Sequence, residues 1–535
     1  MQITQRPMEQ QASAANTGAQ KMVRKSPREQ RNVKIILISA LIGVLAGLVS
    51  VLYRLMLSGA ETLSYAMYDY VRGHLFLVPL LFIGLTALGL GIGALTRKYP
   101  LISGSGIPQL KAQITGYIGG RWCSTLFAKL IGGSAAIVAG LSLGREGPSI
   151  QLGACVADGI ANKMTDDAAE KRIYLASGAS AGLAAAFNAP LAGVMFALEE
   201  IFKYFSPMVL LSTMVAAVFA DFVSKMCFGM DAIFHFEVTE SIPIQYYGLF
   251  IILGLLLGVS GVVYNICLVR AQAIYRKLSF VLDRRVVPVI PFLCAGILGL
   301  TFPVVLCGGH ALIEELNLST SLLFLCAALL LKFLFSMVSF GAGAPGGIFF
   351  PLLVLGGTIG AIFAKLAIPL LGMDEVLFYN FIIIAMAGYF ASIVRAPLTG
   401  IVLMIEMTGS LSQILPLIVT SAVAYIVAEE CKNQPIYESL LENLLHGRGI
   451  HKKAMKREKI LLEMVVQYGS EMEGKTLTEI PVPEKCLIVS IKRGEHDITP
   501  NGQTVVKAGD YLSVLTSLNY ELLVRAEMEK MCGGR

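Results

Sequence analysis

Long apolar runs, broken by short polar or glycine-rich stretches, dominate the chain from about residue 33 to residue 446. Crossing a bilayer as a helix takes about 20 mostly apolar residues. Segments 35–57, 75–95, 249–267, 286–305, 322–340 and 414–427 reach or approach that length, so the pattern predicts membrane helices there. Glycines recur inside these runs at four-residue spacing, as in Gly43/Gly47 and Gly254/Gly258. Small residues so spaced let helix backbones approach closely; they are a packing feature and carry no chemistry. Beyond about residue 457 the pattern changes. Short β-rich stretches at 461–466, 486–491, 503–506 and 511–515 predict strands, separated by turns at 474–477, 492–494 and 507–510.

Composition agrees with a membrane body. Only 15% of the 535 residues are charged, against about a quarter in soluble domains, and mean hydropathy is +0.69. Residues 1–32 are polar, predict a disordered tail and lack the apolar core of a signal peptide. Lys21, Arg24, Lys25, Arg28, Arg31 and Lys34 precede the first apolar run; Lys452, Lys453, Lys456, Arg457 and Lys459 follow the last. By the positive-inside bias both ends are expected in the cytoplasm, with the body a multi-pass protein of the cell membrane in contact with lipid. The net charge of +6 resides at helix ends and in the tails, so no nucleic-acid partner is expected. Ten scattered cysteines form no CxxC pair, and no metal cluster or P-loop is visible; neither a metal nor a cofactor is expected. The chain divides into a tail (1–32), a membrane domain (33–446), a linker (447–456) and a small soluble domain (457–535).

One repeat stands out. Ala189-Pro190-Leu191-Ala192-Gly193, ending at Glu199, matches Ala396-Pro397-Leu398-Thr399-Gly400, ending at Glu406, with an offset of 397 − 190 = 207 residues. Glycine-rich interruptions precede both copies. Such paired interruptions in two halves point to a transporter site at the repeat interface. Three interruptions carry the chemistry: Gly104-Ser105-Gly106-Ile107-Pro108, Gly144-Arg145-Glu146-Gly147-Pro148 and Gly347-Ile348-Phe349-Phe350-Pro351. Glycine tolerates unusual backbone angles and proline suits a first helical turn, so each reads as a break ahead of a new helix. The exposed amides of such starts carry about half a positive charge, and several aimed at one point make an anion site without a charged side chain.

These motifs, in this order and spacing, resemble the CLC family of chloride channels and chloride/proton exchangers over about residues 33–446. The resemblance implies an all-α polytopic fold of two inverted halves with broken helices, assembled as a homodimer with one anion pathway per subunit. It implies that Ser105 and Tyr437 supply hydroxyls to a central chloride and that the Ile348 and Phe349 amides complete its site. Glu146 matches the gating glutamate, whose protonation couples proton to anion movement. Glu200 matches the exchangers' internal proton glutamate; Glu199, adjacent, is expected to point about 100° away. Local alternatives stand beside these roles: a helix cap for Ser105, an interfacial aromatic for Tyr437, a helix N-terminal acid for Glu146, a helix-end acid beside Lys203 for Glu200. Arg145 and Arg395 read as structural charges. The functional expectation is secondary chloride/proton antiport, not enzymatic catalysis; the alternative is a passive voltage- or ligand-gated chloride channel.

A competing motif, Gly178-Ala179-Ser180-Ala181-Gly182, fits the nucleophile elbow of hydrolases. It lies in a small-residue apolar stretch, and all six histidines (74, 235, 310, 446, 451, 496) are expected in loops or tails, so helix packing is the better reading. In the soluble domain, Ile498–Val505 with Ala508-Gly509-Asp510 resembles the C-terminal subdomain of RCK regulators (TrkA-C-like), a small α+β fold. That resemblance implies a cytosolic regulatory ligand, such as a cyclic dinucleotide, at a domain-dimer interface; a passive stabilising module is the alternative.

Overall fold

The computed structural model describes residues 27–203, 205–230, 234, 236, 242–283, 285–448, 450, 459–494, 496–517 and 521–533. The expected tail as far as residue 26, most of the linker, His235 and His451, and the basic residues 21–25 and 452–457 lie outside them. The chain forms two compact units, Met1–Leu444 and Leu445–Arg535.

Among the described residues, the regular elements of the first unit are all helices. Its first half holds α1 (Pro27–Gly73), α2 (Val78–Lys98), α3 (Ile107–Ile114), α4 (Trp122–Val138), α5 (Glu146–Met164), α6 (Ala168–Phe187), α7 (Pro190–Phe196) running into a π-helical turn (Ala197–Phe202), and α8 (Pro207–Phe228). The second half holds α9 (Gly248–Val281), α10 (Val289–Thr301), α11 (His310–Glu314), α12 (Leu322–Gly341), α13 (Phe349–Leu371), α14 (Phe378–Val394), α15 (Pro397–Thr408) and α16 (Ile414–Glu430), followed by α17 (Ile436–Gly447). Seven helices among the described residues are long and apolar enough to cross a membrane, and four of the six predicted spans lie on them; 286–305 is met by the shorter α10 and 414–427 by the shorter α16.

The glycine pairs act where two backbones touch. A Cβ at Gly43 would lie 2.4 Å from the Ala216 carbonyl oxygen on α8, and one at Gly258 would lie 2.6 Å from Val427 Cβ on α16. The α1–α8 crossing in the first half is thus matched by α9–α16 in the second. The sequence repeat becomes a reciprocal contact. Glu406, near the end of α15, accepts the Leu191 and Ala192 amides at the start of α7 at 3.0 and 2.8 Å. Glu199, just past α7, accepts the Leu398 and Thr399 amides at the start of α15 at 3.2 and 2.8 Å. Each copy caps the amide end of the other. The two helices must therefore run antiparallel, so the halves are inverted.

The second unit is an antiparallel sheet of order β1-β4-β2-β3 (β1 Lys459–Val465, β2 Cys486–Arg493, β3 His496–Ile498, β4 Tyr511–Ser517) with one helix, α18 (Glu521–Cys532). Leu462, Met464, Ile488, Ile491, Leu512 and Val514 alternate onto one buried face, covered by Val524 and Met528 of α18. The expected strand at 503–506 shrinks to a single antiparallel bridge, Val505 with Thr476, outside the sheet. Asn501 Oδ1 accepts the Gln503 amide at 3.0 Å, and the Asn501 carbonyl accepts the Thr504 amide at 2.9 Å, so an asparagine-led turn takes those groups. The three-residue β3 and α18 were not anticipated, although Val524 and Met528 stand at helical spacing.

Within this unit Arg493 grips the buried Asp510 carboxylate with Nε and Nη2, both at 2.7 Å, and the Lys507 amide adds a third bond at 2.9 Å. Burial alone would push the Asp510 carboxyl up; these bonds outweigh it and hold it below the usual carboxylate range. A depressed native value adds stability above the unfolded value of about 3.9, and that stability is lost as pH falls through the native one. Asp510→Asn should therefore lower this unit's stability at pH 7 by on the order of 2 kcal/mol and blunt its acid sensitivity. Proteolysis of the intact chain at graded urea, at pH 7 and pH 3, reads both.

Candidate functional site

The three glycine-rich motifs meet in one knot. The Gly346 amide donates to the Gly104 carbonyl at 3.1 Å, and Gly144 and Gly347 exchange hydrogen bonds of 2.7 and 2.8 Å. Each motif opens a helix, α3, α5 and α13, with Pro108, Pro148 and Pro351 in the first turns. Gly106, at φ +90°, permits the turn into α3, and a Cβ there would lie 2.2 Å from Gln151 Oε1. Ser105 packs on Gly147, where a Cβ would lie 2.8 Å from Ser105 Cβ. First-turn amides have no partner within their own helix and carry partial positive charge, so the knot gathers three such ends. Lys129 braces it from behind, donating to the Ile102 and Gly104 carbonyls at 2.8 and 2.5 Å. Its counterpart Lys332, 332 − 129 = 203 residues on, donates to the Val305 and Cys307 carbonyls at 2.9 Å each. Both cations are spent on carbonyls. A lone lysine inside an apolar run was the signal for each.

Ser105 is 1% exposed, and its hydroxyl oxygen receives the Ile107 amide at a long 3.4 Å, so a weak cap leaves its O–H free to donate. Tyr437, at the start of α17, is fully buried with an unpartnered hydroxyl. Its ring stands edge-on to Phe196, which in turn contacts the Phe349 ring; Phe187 and Phe390 enclose Phe349 further. Ile348 and Phe349 thus use their side chains for packing and face the knot with backbone. Glu146, the first residue of α5, is fully buried, and neither carboxylate oxygen has a hydrogen-bond partner; Arg145 Nε lies 3.8 Å away.

Glu199 and Glu200 diverge as expected, on a π-helical turn rather than an α-helix. Glu199 is consumed by capping α15. Glu200, 1% exposed, accepts from Lys111 Nζ at 2.7 Å. Lys111 also donates to Glu438 at 2.7 Å, as does Lys203. Glu200 therefore belongs to a four-residue chain, Glu200–Lys111–Glu438–Lys203, instead of resting beside Lys203 alone. Lys111 lies on α3, which Ser105 precedes, and Glu438 follows Tyr437, so α3 and α17 join this chain to the hydroxyl pair. Lys111 and Glu438 escaped sequence reading because their pairing spans 327 residues. Arg395 is structural, bonding the Tyr425 and Asn433 carbonyls and Glu429 at 2.8 to 3.0 Å.

Ser180 does not stand on a strand-to-helix turn. It sits within α6, with its hydroxyl on the Thr213 carbonyl at 3.4 Å, and a Cβ at Gly178 or Gly182 would strike the Gly153 or Ser149 carbonyl of α5. The histidines differ from expectation: His310 opens α11, His446 lies in α17 and His496 in β3.

Inverted halves whose broken helices turn their amide ends to a common point define an inverted-repeat membrane transport protein. The chain belongs to the voltage-gated chloride channel family, CLC, whose model matches residues 88–429; residues 461–527 match the TrkA-C domain. It is 36% identical to the H(+)/Cl(-) exchange transporter ClcA of Vibrio parahaemolyticus over 432 residues, 77% of this chain and 90% of the relative. It is 34% identical to that of Klebsiella pneumoniae over 434 residues, 78% and 90%. The crystal structure of a slow cyanobacterial Cl-/H+ antiporter superposes with TM-score 0.72 at 29% identity, covering 78% of this chain and 99% of the other. A CLC-type fluoride/proton antiporter, at 22% identity and TM-score 0.65, shares the fold.

Proposed function

We propose that the protein exchanges chloride for protons across the cell membrane, with no resident cofactor. Chloride rests on the Ile348 and Phe349 amides and the Ser105 and Tyr437 hydroxyls. Glu146 competes with it for the same partial charges when ionised, and yields when protonated. Glu200 passes protons to and from the opposite face. The observation that carries this reading is Glu146 itself: a fully buried carboxylate with no hydrogen-bond partner, at the knot of three helix starts. A charge left so costs at least about 2.5 kcal/mol inside a membrane, a cost that marks a working group. The relatives named as H(+)/Cl(-) exchange transporters support the same exchange. Buried Glu200 on its lysine favours exchange over the passive channel. The test is purified protein in liposomes: an imposed chloride gradient should drive protons uphill, recorded as a pH change outside, and chloride flux without proton movement would leave a channel.

The finer assignments belong to the same reading. The protein works as a homodimer with one pathway per subunit, both termini face the cytoplasm, and the domain over residues 457–535 adjusts transport on binding a cytosolic ligand of nucleotide type. The membrane domain over 33–446 and the linker over 447–456 are bounded as the sequence pattern divides them. Ser105→Pro removes the hydroxyl and should move preference toward nitrate. An unaltered chloride/nitrate ratio in competition flux would return Ser105 to capping.

A further inference from the structure

Glu146 also borders a second polar cluster that the anion pathway leaves unused. Glu61 of α1, Arg145 before α5 and His310 of α11 close around a cavity of ≈ 20 Å³, lined also by Ser58, Gly144 and Phe350 and large enough for one water. Its walls are unsatisfied: Glu61 Oε1, Arg145 Nε, both Glu146 oxygens and His310 Nδ1 are buried without a hydrogen-bond partner. The direct contacts between them are too long to satisfy these atoms, which leaves them to a water in the cavity. Arg145 Nε lies 3.8 Å from Glu146, and His310 Nδ1 lies 3.6 Å from Glu61 Oε2, each just beyond direct bonding. Exposure rises step by step along the cluster, from 0% at Glu146 through 14% at Arg145 and 24% at Glu61 to 34% at His310. His310 then lines a second, larger cavity of ≈ 200 Å³ with Phe234, Phe236, Glu314 and Tyr379. Its imidazole lies against the Phe350 ring at 4.2 Å and 24°, so one oriented side chain borders both cavities.

We propose that His310, steadied by Glu61 and Phe350, relays protons between the larger cavity and Glu146. The proposal rests on the exchange reading of Glu146. In the inward step the imidazolium gives its Nδ1 proton to water in the small cavity, and that water passes one of its own protons to a Glu146 oxygen. The neutral ring keeps its Nε2 proton, so it turns about Cβ–Cγ, takes a proton on the bare Nδ1 from hydronium or buffer acid in the larger cavity, and turns back; each cycle moves one proton and leaves no deficit. The other ionisable groups around His310 do not replace it. Lys332 comes within 3.1 Å of where a Gly309 Cβ would stand, but its ammonium is tied to carbonyls. Tyr65 and Cys307 border neither cavity, and Glu314 and Tyr379 line only the larger one. Histidine is the side chain whose ordinary titration spans pH 5 to 8.

The experiment follows coupled exchange by the full-length protein in liposomes, with equal pH on both faces, stepped from 5 to 8. The wild-type rate should change through the histidine range. His310→Gln should lose on the order of tenfold in rate at pH 7.5 and flatten the profile, with the proton-to-chloride ratio unchanged; general acid–base assistance of this kind is worth about a hundredfold or more when fully rate-limiting. Glu61→Gln, isosteric, should keep the slope of the profile and displace its midpoint. A His310→Gln profile that superimposes on wild type, or falls equally at every pH, overturns the relay. So does an unmoved Glu61→Gln profile, which serves if His310→Gln does not assemble. A wild-type protein that moves chloride but no protons would instead overturn the exchange reading beneath it.

Discussion

Replacing Glu146 by alanine should leave chloride running down its gradient and abolish proton movement against it. The carboxylate stands at the amide end of α5, fully buried, with no hydrogen-bond partner for either oxygen. Its side chain folds over Gly144, where a Cβ would lie 2.4 Å from Oε2, so the knot is shaped around it. An anion at a helix start is stabilised by the partial charges of free amides, and chloride and carboxylate cannot both hold the same ones. Alanine removes the competitor and leaves the amides to chloride. The alternation that ties one proton to anion movement then has no carrier. Coupled proton flux should fall by at least about a hundredfold, the floor for removing a positioned acid–base group. Liposomes with an imposed proton gradient measure this directly, and a variant that still concentrates chloride at the expense of that gradient would remove Glu146 from the gate.

The second large effect is expected from Glu200→Val. Valine leaves Lys111 paired to Glu438 at 2.7 Å, so the buried cation keeps a partner and the fold should survive. Proton delivery from that face loses the buried Glu200 carboxylate, 1% exposed, and chloride flux should continue without pumping. Lys111→Met is the structural contrast. It leaves Glu200 and Glu438 facing each other without their shared cation, and breaking a buried pair from one side costs about 3–5 kcal/mol. Lower thermal stability in Lys111→Met with retained stability in Glu200→Val would separate the scaffold of this cluster from its proton role. Undiminished uphill pumping by Glu200→Val would refute the relay.

Much of this was legible along the chain because it is local. A run of apolar residues is a span wherever it lies, and a glycine-proline break opens a helix by its own backbone preferences. The 207-residue repeat announced two related halves, and the phase of Glu200 against Glu199 survived even though the turn there is π-helical. In the soluble unit local reading failed twice: at 503–506, where an asparagine-led turn left only one bridge, Val505 with Thr476, and at α18, whose apolar spacing was present.

By itself the sequence determined the class of protein, the broken helices and the carboxylates placed at them, since each is encoded within a dozen neighbouring residues. Only the tertiary structure decided which partner every buried charge would have. Glu199 and Glu406 cap each other's helices across some 200 residues, Lys111 chooses Glu200 and Glu438, and Lys129 and Lys332 settle on carbonyls. An ion inside a membrane must find its compensation wherever the fold brings it, and no local pattern in the chain records that choice.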